Sequence, residues 1–141
     1  MYKVLWLLKR KDGISLEQFR EHYENSHAVL AQKYFGDLLI EYKRNYKTET
    51  WGGGVPTDEG GSFGPIDWKY DCIAEWVMPD EAAFNRINEV FQHPVIGKEF
   101  YDDEEHFLDR EATMLFKCSV GDTGTGDGHA RAAIMGSAAG A

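Results

Sequence analysis

The sequence has too little of what a membrane, a nucleic acid or a disulfide framework requires. No apolar run is longer than Val4–Leu8, far below the roughly 20 residues that span a bilayer. The N-terminus lacks the basic start and long apolar stretch of a secretion signal, so a cytoplasmic protein is expected. Basic residues are few: 15 Lys and Arg stand against 24 Asp and Glu, and a net charge of −9 repels phosphate backbones and anionic lipid alike. Two cysteines, Cys72 and Cys118, are too few for a disulfide scaffold and have no metal-ligand spacing. His27, His93 and His106 include no close-spaced pair, so no metal site is expected. GTGDG at 124–128 lacks the Lys-Ser or Lys-Thr that completes a phosphate loop.

Aromatic side chains are abundant: eight Phe, seven Tyr and four Trp in 141 residues, a length that suits one domain with a single core. YKVLWLLK, residues 2–9, is apolar at both strand parities, which predicts an inner strand buried on both faces. Ser15 with Gln18 forms a capping box, and Ile14 with Phe19 a hydrophobic staple. A helix is therefore expected from about Leu16 to Phe35, closed by Gly36. In DLLIEYKRNYKTET, Leu38, Ile40, Tyr42 and Tyr46 alternate with polar residues, the pattern of an edge strand. Residues 51–65, rich in glycine with two prolines, read as a long loop, either a lid or a hairpin connection. WKYDCIAEWV, 68–77, is a second inner strand. Two helices follow, separated at Pro94, the second burying Ile96, Phe100 and Phe107 behind an acidic run, 102–105, read as solvated. His93 is placed to cap it. EATMLFKCSV, 111–120, is the last strand.

This order predicts an α+β fold: a ferredoxin-like βαββαβ sandwich whose antiparallel four-stranded sheet has the order 4-1-3-2, strands counted along the chain. Cys72 and Cys118 would then flank strand one, beyond disulfide reach. Helices cover one face of such a sheet, and the inner strands are apolar on the other, so a homodimer with sheets packed face to face is expected. Residues 1–120 form the domain; 121–141, mostly Gly, Ala, Ser and Thr, read as a tail that is flexible or docks on a partner.

Three segments, YKVLWLLKRKDGISLEQFREHYENSHAVLA, YDCIAEWVM and DEEHFLDREATMLF, resemble the EthD-domain family in order and spacing. The resemblance covers 1–120 and implies a dimeric α+β barrel without a tightly held metal or cofactor. Its motif carries over Tyr23, His27, Asp71, Glu75, His106 and Asp109. Val29 stands where many relatives have proline.

At about 100° per residue from Leu16, Phe19, Tyr23, Leu30 and Tyr34 share the buried face with His27, about 20° from its centre, while His22 lies about 120° away, toward water or the helix flank. His27 is either a satisfied core histidine or a pocket acid–base group. The candidate catalytic set is His27, Tyr23 and Tyr42, the tyrosines donating to a developing oxyanion. Trp6, Phe19, Leu30, Tyr34 and His106 are candidate substrate contacts. Asp71 is either an orienting carboxylate or one half of an ion pair.

Three functions follow as expectations. The first is a cofactor-independent acid–base enzyme of dehydratase, isomerase or cyclase type, acting on a small oxygenated aromatic or polyketide-like compound. The second is a cofactorless monooxygenase or an accessory protein of an oxidoreductase system, and the third a non-catalytic dimeric protein that binds a small ligand or haem.

Overall fold

A computed structural model describes residues 1–57 and 60–124. The tail expected at 121–141 lies largely outside the described residues.

Strand β1 (Tyr2–Leu8) leads into helix α1 (Leu16–His22), a π-helical turn (Tyr23–His27) and helix α2 (Ala28–Phe35). Next come β2 (Glu41–Tyr46), β3 (Trp51–Thr57), β4 (Gly60–Pro65) and β5 (Cys72–Met78). Helices α3 (Glu81–Gln92) and α4 (Pro94–Glu104) precede the last strand, β6 (Met114–Cys118). The main sheet has the order β2-β5-β1-β6, and every neighbouring pair is antiparallel. β1 and β5 are inner strands because apolar residues occupy both of their parities.

Local signals start the helices. Ser15 Oγ accepts from the Gln18 amide at 3.0 Å while Gln18 Oε1 accepts from the Ser15 amide at 2.8 Å. The Asp80 side chain caps α3, and His93 Nδ1 accepts from the amides of Val95 and Ile96, both at 3.2 Å, at the start of α4. One side of the sheet packs on the helices: Val4, Trp76 and Met78 meet Ala31, Phe35, Phe84, Ile87 and Phe100 in one cluster, and Leu8, Cys72 and Ala74 meet Phe19, Tyr23 and Phe107 in another. Each fully buried phenylalanine contributes about 2–3 kcal/mol. The opposite side carries Leu5, Leu7, Ile73, Met114 and Phe116, with Met114 55% and Phe116 47% exposed.

The glycine-rich stretch read as a loop is a two-stranded hairpin, β3–β4. Backbone pairing holds it, with Trp51 53% and Phe63 76% exposed, and none of its described side chains is buried to leave a periodic trace in the sequence.

Candidate active site

The segment between α1 and α2 is wound wider than an α-helix. The Ala28 N–H donates to the Tyr23 carbonyl, five residues back, and this i→i+5 bond takes one extra residue into the turn. In an unbroken α-helix His22 and His27 would face different ways; here they become neighbours, as residues four apart usually are. Of the two placements expected for His22, water or the helix flank, the structure gives the flank, half-buried against α4. Both rings reach one carboxylate, Asp103 of α4: His22 Nε2 lies 3.0 Å from Oδ1, His27 Nδ1 2.9 Å from Oδ2, and Ser26 Oγ donates to Oδ1 at 2.5 Å.

Asp103 is 8% exposed. Burial alone would raise its pKa, but the hydrogen bonds from His27 and Ser26 outweigh that and hold it below the ordinary carboxylate value. In the neutral ring the ionised carboxylate fixes the hydrogen on His27 Nδ1, and that tautomer has its lone pair on Nε2. Nε2 makes no hydrogen bond among the described residues.

His27 lines a cavity of about 50 Å³ with Trp6, Tyr23, Tyr42, Trp76, Phe91, Glu104 and Thr113 among its walls. The Tyr42 hydroxyl donates to that of Tyr23 at 2.8 Å. Two hydroxyls sharing one bond leave one phenolic hydrogen without an acceptor among the described residues. Burial pushes both phenols above their ordinary pKa, so they stay protonated donors. β2 brings in Tyr42 through its register with Trp76. Arg44, two residues on, lies 4.5 Å from the centre of the Tyr42 ring and is fixed by Glu24, at 2.6 and 2.8 Å. That hydrogen bond holds Glu24 below the usual carboxylate range. Burial raises the pKa of Glu104, with only partial offset from His27 and Arg110.

The larger concavity, about 770 Å³, lies between Lys9–Ile14 and 65–69. It is an open polar groove whose Lys9 and Lys47 are already paired with Asp12 and Asp71, so the small cavity, where uncommitted polar groups converge, is the better candidate.

The expected catalytic trio, His27, Tyr23 and Tyr42, thus comes together, and Trp6 joins it. The other expected contacts lie elsewhere. Phe19 is sealed in the core against Phe107 and Tyr46. Leu30 packs at the margin of the other cluster. The Tyr34 hydroxyl donates to Glu99. His106 stacks on His22, 5.4 Å away and outside the cavity. Asp71 is not the orienting carboxylate: its Oδ2 accepts from the Arg10 amide at 2.8 Å and its Oδ1 faces Lys47 at 3.5 Å. Glu75 pairs with Lys3 and Asp109 with Lys9.

Sequence reasoning missed Asp103, Glu104, Trp76 and Arg44. The two acids were legible, because they stand three and four residues after buried Phe100 and share its helix face. Reading 102–105 as one solvated run concealed this.

Among the described residues no group of three or more His, Cys, Asp or Glu is arranged to hold a metal. The cavity is too small for haem. Cys72 and Cys118 are free thiols, and burial pushes Cys72 up to about 12, which makes it a poor nucleophile. No helix among the described residues is long and apolar enough to cross a membrane.

Comparison with solved structures supports the architecture. An EthD family protein from Bacillus halodurans is similar at 21% identity and a TM-score of 0.50, over 84% of this chain and 97% of its own. A protein from Agrobacterium tumefaciens is similar at 10% identity and a TM-score of 0.53, over 85% and 93%. At such identities the likeness concerns fold alone. A comparison with curated proteins gives no match. The EthD domain model, however, matches residues 11–111, and the chain belongs to the EthD-domain family.

Proposed function

We propose that the protein is a cofactor-independent acid–base enzyme of dehydratase, isomerase or cyclase type, acting on a small oxygenated compound. The observation that carries this reading is the Asp103–His27 pair, 2.9 Å apart, on the wall of a cavity that also holds the Tyr23–Tyr42 pair. A carboxylate that fixes the tautomer of a histidine beside phenolic donors is the arrangement general-base catalysis uses: Nε2 takes a proton and the phenol steadies the oxygen that gains charge. The cavity admits the reacting end of a molecule; an aromatic or polyketide-like body requires a half-buried wall residue such as Phe91 to change rotamer. A thermal-shift screen of such compounds, followed by turnover assays, tests this. His27→Gln should lower turnover about 10²–10⁴-fold, and turnover at the wild-type rate would refute the assignment.

The runner-up is a non-catalytic carrier of the same ligand class, favoured by the apolar walls. A carrier has no use for a base oriented by a buried carboxylate, which is why the enzymatic reading ranks first.

We also propose that two copies pair through the sheet face bearing Leu5, Leu7, Ile73, Met114 and Phe116, since exposed apolar residues on inner and edge strands together form a patch that water covers poorly. Light scattering at micromolar concentration should give the mass of a dimer; a monomer there overturns this.

A further inference from the structure

The cavity holds two polar groups that the acid–base pair does not use. The indole N–H groups of Trp6 and Trp76 are buried and meet no acceptor among the described residues, although both residues line the cavity beside His27. An unmet buried donor costs about 1–3 kcal/mol, and nearly all such groups in folded proteins have partners. The two indoles come from the inner strands, where the pairings Val4↔Trp76 and Trp6↔Ala74 set them diagonally on the helix-covered side. Their ring centroids are 5.3 Å apart, and Trp76 is 4% exposed. The Tyr2 hydroxyl is also unmet, but Tyr2 packs on Phe84 and is not a wall of this cavity.

With the spare phenolic hydrogen of the Tyr23–Tyr42 pair, the residues that line the cavity carry three unmet donors. An ammonium would set donors against donors, and a hydrocarbon would leave them all unmet. The complement is an oxygen with two lone pairs, next to an atom whose proton His27 can remove. We propose that Trp6 and Trp76 bind the carbonyl oxygen of an enolisable ketone or aldehyde, an assignment that rests on the reading of His27 as the base.

In the step this supports, the α C–H bond breaks and an N–H bond forms at His27 Nε2. The C–H electron pair becomes the new C=C bond, and the carbonyl π pair moves onto the oxygen. The enolate oxygen then accepts from the two indoles. Where a further C=C bond is conjugated with the enolate, return of the proton to the far carbon of that dienolate completes an isomerisation, and no oxidant or metal enters the balance.

Two probes separate the substrate class from the base. Acetohydroxamate, a small planar enolate mimic, is titrated into ¹⁵N-labelled protein while the four indole N–H resonances are followed, those of Trp51 and Trp68 being assigned through Trp51→Phe and Trp68→Phe. The resonances of Trp6 and Trp76 should move downfield, and those of Trp51 and Trp68 should stay. Trp76→Phe, which keeps a ring in place, should weaken binding about tenfold. Deuterium exchange into acetone is then measured with wild type and His27→Gln. Indole shifts with exchange that depends on His27 support both readings. Indole shifts without exchange support the carbonyl site and remove the base. Exchange without indole shifts, or no response to either probe, overturns the carbonyl site.

Discussion

Asp71 and Asp103 are the buried charged side chains among the described residues, and they are held by opposite kinds of partner. Asp71 sits where three strands meet: its side chain accepts from the Arg10 amide, its own amide donates to the Leu8 carbonyl at 2.8 Å, and its carbonyl accepts from the Lys47 amide at 2.8 Å. Its charged partner is Lys47. All of these partners of its side chain are donors only. Asp103 is held by a serine and two histidines, and an imidazole can carry its hydrogen on either ring nitrogen. A buried carboxylate with fixed partners serves as a joint. One held by histidines can orient a ring toward a ligand, and Asp103 stands behind His27 on the wall of the small cavity.

The largest expected effect comes from breaking the joint. Asp71→Ala leaves the Arg10 amide without its acceptor and the Lys47 ammonium without its charged partner, with only the Trp68 carbonyl still accepting from it, and should lower stability by about 3 kcal/mol, read from urea denaturation. Turnover per folded molecule should stay at the wild-type level. A variant as stable as wild type, or one folded but inactive, would erase the distinction between the two aspartates.

Asp103→Asn should do the reverse. The amide keeps the shape but not the charge, so His27 loses the partner that fixes its tautomer. Turnover should fall about 100-fold or more, mostly in kcat, for a stability cost of about 1 kcal/mol. Because the folded pKa of Asp103 lies below its ordinary value of 3.8, the charge lends stability above that pH and loses it as pH falls through the folded value. The stability gap between wild type and Asp103→Asn should therefore close below about pH 4. A gap independent of pH would mean that the carboxylate's charge is not what its partners recognise.

How much of this was legible in the sequence follows from how each feature leaves its mark. Trp6 and Trp76 sit on strands apolar at both parities, which identified those strands without any knowledge of pairing. The capping box at Ser15 and the cap at His93 are local, and a local signal survives in one dimension. The β3–β4 hairpin buries none of its described side chains and so leaves no period. His22 was lost because constant helical phasing cannot anticipate an i→i+5 turn at Tyr23. Asp71 and Asp103 could not be told apart by residue type, since their roles depend on whether Lys47 or His27 lies opposite, a fact of tertiary structure.

The smallest effect sharpens the comparison by one residue. Glu104 follows Asp103 directly, yet its carboxyl has no hydrogen bond among the described residues to offset burial, and its pKa is raised above the ordinary 4.5. The linkage then has the opposite sign. A raised carboxyl favours folding below its unfolded pKa, and its ionisation erodes stability as pH rises through the folded value. Glu104→Gln removes that ionisation, so the variant should melt above wild type at pH 7, and this gain should disappear by pH 4. Thermal melts at the two pH values decide it. A Glu104→Gln protein less stable than wild type at pH 7 would show that Glu104, like Asp103, is ionised and paired, and the contrast between neighbours on the cavity wall would fail.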